Sequence, residues 1–239
     1  GFWLSGLGGV AQYAGSAGSA SARTRLLGVA GGLDIEPVHG LTLGVGGGRA
    51  TPEIHLDAAN DRASSTTTQA GGYGRVALGA SRVDAAVSFG GSRNEVWRVV
   101  TDGTILPTAH ASFNGAAMSS QLDYAYGMRI GRSVLVEPQV GYHYGRLSLE
   151  GATETGADVL DLLVPDRVVT SNQVTAGARV VKALGGEVTK WTLEGRAAWL
   201  RELTPLASMR MRFAGDLTTD GFLLAAPSPR RDGAIVGVS

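Results

Sequence analysis

Charged and amide side chains fall in phase, two residues apart, in several stretches of this 239-residue chain. Glu137, Gln139 and His143 share the odd positions of VLVEPQVGYHYG (134–145), and Gln121, Asp123 and Arg129 those of SQLDYAYGMRIG (120–131). Arg82 lies in phase with Asp84, Gln173 with Arg179 and Glu194 with Arg196, and Asp34 ends the run LLGVAGGLD (26–34). Carboxylates and guanidinium groups on one face of neighbouring extended strands can pair across the ladder through charge-assisted hydrogen bonds. This chemistry holds a polar face together; it breaks no bonds.

Other residue types offer little reactive chemistry. The four histidines, His39, His55, His110 and His143, lie far apart with no H-x-x-x-H or H-E-x-x-H spacing, and Cys is absent, so no metal site and no cofactor are expected. No G-x-S-x-G elbow is present. GLGGVA (6–11) matches a loose G-x-G-x-x-A nucleotide pattern, but it lies in a strand-like run with no helix after it. GVAGG (28–32) resembles the membrane-helix G-x-x-x-G, yet its neighbours alternate with period 2, not 3.6.

The polar positions alternate with apolar ones, and alternation over this length specifies strands. Opposite Glu137, Gln139 and His143 stand Val140, Tyr142 and Tyr144; opposite Gln121 and Asp123 stand Tyr124 and Tyr126; Trp191 and Trp199 bound the greasy face of KWTLEGRAAWL (190–200). Those two tryptophans are about eight residues apart, roughly the height of an outer-membrane hydrocarbon band when a strand is tilted. Aromatic residues at both edges suit the two membrane interfaces. The polar face of a soluble sandwich meets bulk water and is usually rich in Lys, Glu, Thr and Ser. Here it is Gly and Ala with scattered charges of both signs, which fits a wet, enclosed interior. The expected lumen-lining set is therefore Asp34, Arg82, Asp84, Gln121, Asp123, Arg129, Glu137, Gln139, His143, Gln173, Arg179, Glu194 and Arg196. The expected lipid-facing belt is Tyr124, Tyr126, Val140, Tyr142, Tyr144, Trp191 and Trp199. Glycines on the polar faces of residues 26–36 and 40–50 are expected to leave the interior room for something else.

Composition agrees. Gly is 36 of 239 residues, roughly twice the usual share, without a Gly-X-Y period and with only 8 Pro, so the chain is not collagen-like. With 44% hydrophobic residues it is not a disordered tail. Charges balance at 21 basic and 21 acidic with no basic block among aromatics, which excludes a nucleic-acid partner. The uncharged first 22 residues hold six Gly and no basic flank, unlike a signal peptide or a spanning helix, and no other stretch offers about 18 uninterrupted apolar residues. A membrane crossing, if made, is made by strands.

Strands are expected near 2–12, 26–36, 40–50, 67–79, 81–96, 112–130, 133–149, 168–182, 190–202 and 233–239. Short connections (36–40, 79–81, 131–133, 184–190) alternate with long ones (14–24, 51–68, 150–167, 204–233). That is the grammar of an up-and-down meander with short periplasmic turns and long extracellular loops. MRMRF (209–213) also alternates and is expected to extend the ninth strand into a hairpin arm outside the bilayer.

In order, GFWLSGLGG, the Ser/Gly loop, LLGVAGGLDIEP followed directly by LTLGVGGG, TTTQAGGYGRVALGASRVDAAVSFG, VLVEPQVGYHYGRLSLEG and TLEGRAAWLRELTP resemble the translocator barrel of type V autotransporters. The resemblance implies an all-β, transmembrane antiparallel barrel of twelve strands, about nine to ten of them here. It implies residence in the outer membrane of a Gram-negative bacterium and export of the protein's own N-terminal passenger to the cell surface. The implied partners are that passenger, outer-membrane lipid and the barrel assembly machinery. Some family members cut their own linker with lumenal carboxylates as helpers; Asp123, Glu137 and Glu194 would be the counterparts, and plain ion pairing is the favoured reading of all three. The chain departs from the family in stopping at AIVGVS, partway along a tenth strand, so residues 1–239 are expected to be a fragment without passenger, linker and the last two strands. The competing functions are an outer-membrane porin or passive channel and, from another class, a soluble β-sandwich or adhesin module.

Overall fold

A computed structural model describes residues 1–13, 21–56, 61–100, 107–131, 133–184, 191–204, 209–216, 221–224 and 231–238. The alternating stretches form one large antiparallel sheet. Its strands are β1 (Phe2–Tyr13), β2 (Ala22–Val38), β3 (Leu41–Leu56), β4 (Asp61–Leu78), β5 (Ser81–Val99), β6 (Thr108–Tyr126), β7 (Met128–Ile130), β8 (Val134–Leu149), β11 (Arg167–Leu184), β12 (Trp191–Glu202) and β15 (Asp232–Val238). They pair in chain order, β1-β2-β3-β4-β5-β6-β8-β11-β12-β15, with β7 continuing the β6 register on β8. The meander is the one the alternation predicts. Its tight turns at residues 38–41 and 78–81 each place a glycine, Gly40 (φ 83°) and Gly79 (φ 61°), where side chains are disfavoured.

Strands reach beyond their expected ends on the side of the long connections. Residues 51–68, expected as a loop, are largely strand: β3 runs to Leu56 and β4 starts at Asp61, with Glu53 opposite Ser64 and His55 opposite Arg62. The Ser/Thr run SSTTT favours extended backbone, and pairing satisfies its amide groups without water.

The long connections also pair with one another. Between β8 and β11 lie β9 (Ala152–Thr153), a 3-10 turn (Asp158–Leu160) and β10 (Leu162–Val164); between β12 and β15 lie β13 (Met209–Phe213) and β14 (Phe222–Leu224). They form a second, four-stranded sheet, β14-β13-β10-β9. MRMRF therefore does not extend the ninth strand. The Glu202 carboxylate accepts the Asn172 and Thr204 amides, each at 2.9 Å, which closes the β11–β12 ladder, and MRMRF instead becomes β13 with Phe213 opposite Leu162.

Among the described residues the large sheet has no apolar core of its own. Its large apolar residues are exposed, Leu33, Ile35, Phe89, Leu122 and Val236 among them, whereas the buried apolar cluster of Val100, Ala109 and Ala157 sits at the long-connection end. No second sheet packs face to face on the apolar side among the described residues. A two-layer sandwich would bury that face. β1 and β15 are the two edges and do not pair with each other.

Candidate functional site

Trp3 on β1 and Tyr73 on β4 are three strand spacings apart, about 14 Å along a flat sheet. Yet the Trp3 indole donates to the Tyr73 hydroxyl at 2.7 Å, and that hydroxyl donates to Asp34 of β2 at 3.1 Å. Only a strongly curled sheet brings them together, and the face they share is the concave one. On the same face Asp84 accepts from Arg75 of β4 at 2.5 Å and from Arg82 of its own strand at 2.8 Å. Arg82 reaches past β6 to Glu137 of β8 (3.4 Å), Glu137 accepts Arg179 of β11 (2.5 Å), and Arg179 donates to Glu194 of β12 (2.8 Å). Acid and base alternate across the interior, each carboxylate shared between guanidinium groups or tied to one. Such pairing leaves a polar wall with no buried side-chain polar atom unpartnered among the described residues.

The concave side of β2 and β3 is glycine because the two aromatic rings lie on it. A Cβ on Gly32 would sit 2.8 Å from the Trp3 indole, one on Gly46 3.1 Å from it, and one on Gly44 inside the Tyr73 ring. The room left by these glycines is filled by the chain's own Trp3 and Tyr73. Gly44→Ala should therefore displace Tyr73 from its bonds to Trp3 and Asp34 and lower stability by about 1–3 kcal/mol. Gly6→Ala, where nothing lies within 4 Å, should change little. The check is the heating midpoint of the folded protein in detergent; equal midpoints for the two variants would remove the packing role assigned to Gly44.

Residues 2–239 match the autotransporter β-domain family model. The chain belongs to the autotransporter β-domain family. Among solved structures it is similar to the translocator domain of autotransporter NalP from Neisseria meningitidis, with a TM-score of 0.72 at 14% identity over 98% of this chain and 84% of that one. It is also similar to the transport unit of autotransporter AIDA-I from Escherichia coli, with a TM-score of 0.55 at 16% identity over 99% and 78%. At these identities the likeness is one of fold. No curated protein sequence matches the chain. Membership in a family of transport units favours neither the porin nor the sandwich reading.

Within this autotransporter β-domain, the concave face gathers six of the polar residues expected from the sequence in two groups: Arg82, Asp84, Glu137, Arg179 and Glu194 in the ion-pair chain, and Asp34 with Tyr73 and Trp3. Asp123 and His143 form their own pair at 3.0 Å, and Gln173 donates to Glu202 at 3.2 Å near the long-connection end. Gln139 and Arg196 line a hollow with Arg82, Arg179 and Glu194, and Gln121 lines another with Tyr73 and Asp84. Arg129 keeps the concave phase, opposite Leu135, but sits exposed near the short turns outside the network. On the convex face Tyr124, Tyr126, Val140, Tyr142 and Trp199 are exposed and Tyr144 is half-buried. Tyr142 donates to Asn172 at 2.6 Å, and Trp199 to Asp232 at 3.1 Å. Trp191 begins β12, and its side chain lies outside the described residues.

Trp3 and Tyr73 of the Asp34 group and Arg75 of the ion-pair chain are absent from the expected set. In GGYGR the aromatic points inward while its neighbours Gly72 and Gly74 point outward, which inverts the usual greasy-out rule. Arg75, two residues on and in phase, is the signal that fixes the face of Tyr73. The other omission is at the long-connection end, beyond the apolar face. Glu154 takes three hydrogen bonds from Arg98 (2.5, 3.1 and 3.2 Å) and accepts the Leu162 amide at 2.9 Å, which ties β5 to the small sheet. Hydrogen bonding to Glu154 raises the Arg98 guanidinium above its ordinary pKa. Arg62 lies 4.3 Å over Trp97, whose ring packs 5.2 Å from His110.

Proposed function

We propose that this chain forms the outer-membrane barrel by which a type V secretion protein anchors itself and exports its own N-terminal passenger to the cell surface. One observation carries the reading: in a member of this family a single curled sheet keeps its chain of short ion pairs on the concave side and its unburied apolar and aromatic residues on the convex side. A lipid-facing belt around a hydrated lumen needs that division. The long connections, tied into a small sheet, face the cell exterior, and the short turns face the periplasm. Surrounding lipid and the outer-membrane assembly machinery are the barrel's partners. The edges β1 and β15 carry backbone groups that lipid cannot satisfy. No residue performs bond chemistry; Asp123, Glu137 and Glu194 serve as ion-pair partners.

The absence of Cys makes the test direct. In the complete protein in its own outer membrane, Tyr142→Cys and His143→Cys are made separately and probed with a small charged thiol reagent and a lipid-soluble one. Position 143 is expected to label from water and 142 only from lipid. Equal aqueous labelling at both positions would rule out a bilayer-spanning β8.

A further inference from the structure

Reading outward-facing positions from the short turns toward the long connections, six strands share a rule: the first charged residue is an arginine, which on β4 is Arg62, stacked over Trp97, and on the other five follows directly on the apolar run. The apolar run ends at Leu27 before Arg25 on β2, at Gly47 before Arg49 on β3, at Gly91 before Arg93 on β5, at Tyr144 before Arg146 on β8 and at Trp199 before Arg201 on β12. Counted through the ladders from Arg25, Arg49 lies four residues toward the short turns, Arg93 two, Arg146 six and Arg201 ten, a drift in the direction that the stagger of tilted barrel strands takes up, so the five form a loose band along the convex face. All five are exposed. Arg201 has a distant ion pair with Asp232 at 3.8 Å; Arg25 has Glu53 opposite it in register; and Arg25, Arg49, Arg93 and Arg146 make no ion pair among the described residues. The other rim differs. On the convex face near the short turns, Lys182 is the one lysine or arginine among the described residues, in the company of Leu41, Leu78, Ile130 and Val134.

We propose that this arginine band binds the phosphate groups of lipids packed against the barrel, in the leaflet on the side of the long connections. The inference rests on the membrane reading above and deepens it by naming the lipid chemistry. Three features converge. The guanidinium groups continue an apolar belt, so a ligand that meets both must carry acyl chains and an anion together. Their own chain leaves most of them without a carboxylate. A guanidinium matches a phosphate through paired N–H donors. A soluble acidic partner would require charge but no adjoining greasy belt.

The test uses the complete protein, extracted and held in uncharged detergent, with its heating midpoint followed against added lipid. The probes are phosphatidic acid, diacylglycerol with the same acyl chains, and inorganic phosphate at matched concentration. Phosphatidic acid is expected to raise the midpoint and the other two to leave it unchanged. In the triple variant Arg25→Gln, Arg49→Gln, Arg146→Gln, the apparent affinity for phosphatidic acid should fall by about a hundredfold, at roughly fivefold per arginine. The single variant Arg146→Gln, with a fall of roughly fivefold, serves if the triple variant does not fold. Affinity unchanged in the variants, an equal response to inorganic phosphate, or an equal response to diacylglycerol would each overturn the proposal. Failure of the wild-type protein to give a compact, heat-sensitive form in detergent would instead strike the barrel reading itself.

Discussion

Val140→Arg is expected to destabilise the barrel by about 2–4 kcal/mol, the cost of an arginine near the middle of the bilayer on the lipid side of a strand. Val140 is 55% exposed, midway between Val136 and Tyr144 on the convex face of β8. In the membrane reading that exposure is to hydrocarbon, where a guanidinium loses its hydration and is too central to reach either interface easily. His143→Arg, three residues on, places the same group on the concave face beside Asp123. There a partner and water are both at hand, and the change should stay within about 0.5 kcal/mol. Urea titration of the complete protein in lipid vesicles compares the two variants. Equal losses would mean that the faces of β8 are not divided between lipid and lumen, and a loss at 143 alone would mean that they are reversed.

Glu137→Ala is expected to cost about 2 kcal/mol and to loosen β5, β8 and β11 together. Glu137 is 8% exposed and holds Arg82 at 3.4 Å and Arg179 at 2.5 Å. Removing it leaves two guanidinium groups facing each other without their shared counter-charge. A fully buried pair broken this way would lose about 3–5 kcal/mol. Because the two arginine side chains remain 27% and 31% exposed, water screens part of the penalty. Arg179→Gln in the same background should restore part of the loss, since it removes the repulsion between two guanidinium groups that each keep only one carboxylate, Asp84 for Arg82 and Glu194 for Arg179. Melting of the single and double variants in detergent measures the coupling. Additive losses would show that Glu137 and Arg179 do not act as a pair.

The period-two pattern of VLVEPQVGYHYG and SQLDYAYGMRIG was enough to place Glu137, His143, Asp123 and their neighbours on one face and Val140, Tyr124 and Tyr142 on the other. That information is local: in a strand, residue i and residue i+2 point the same way whatever the rest of the chain does. Gly at the tight turns and the alternation of short and long connections likewise specified the order of the strands. The same local rule failed at Tyr73, where Gly72 and Gly74 stand on the apolar side of the alternation, and at Trp3, which sits between the equally apolar Phe2 and Leu4, so that neither aromatic could be assigned a face. It failed again at 51–68 and at MRMRF, where polar residues extended two strands and a strand-like run paired with Leu162 of a distant connection in place of its own neighbour.

What only the tertiary structure decided was which of the inward groups meet. Trp3 reaches Tyr73 across two intervening strands, Arg82 reaches Glu137 across β6, and Glu154 clamps Arg98 from a connection more than fifty residues away. Each contact depends on the register of every ladder between the partners and on the curvature summed over them. No single stretch of sequence encodes that sum, because curl is a property of the assembled sheet, whereas the division between a greasy and a polar face is already written into each strand.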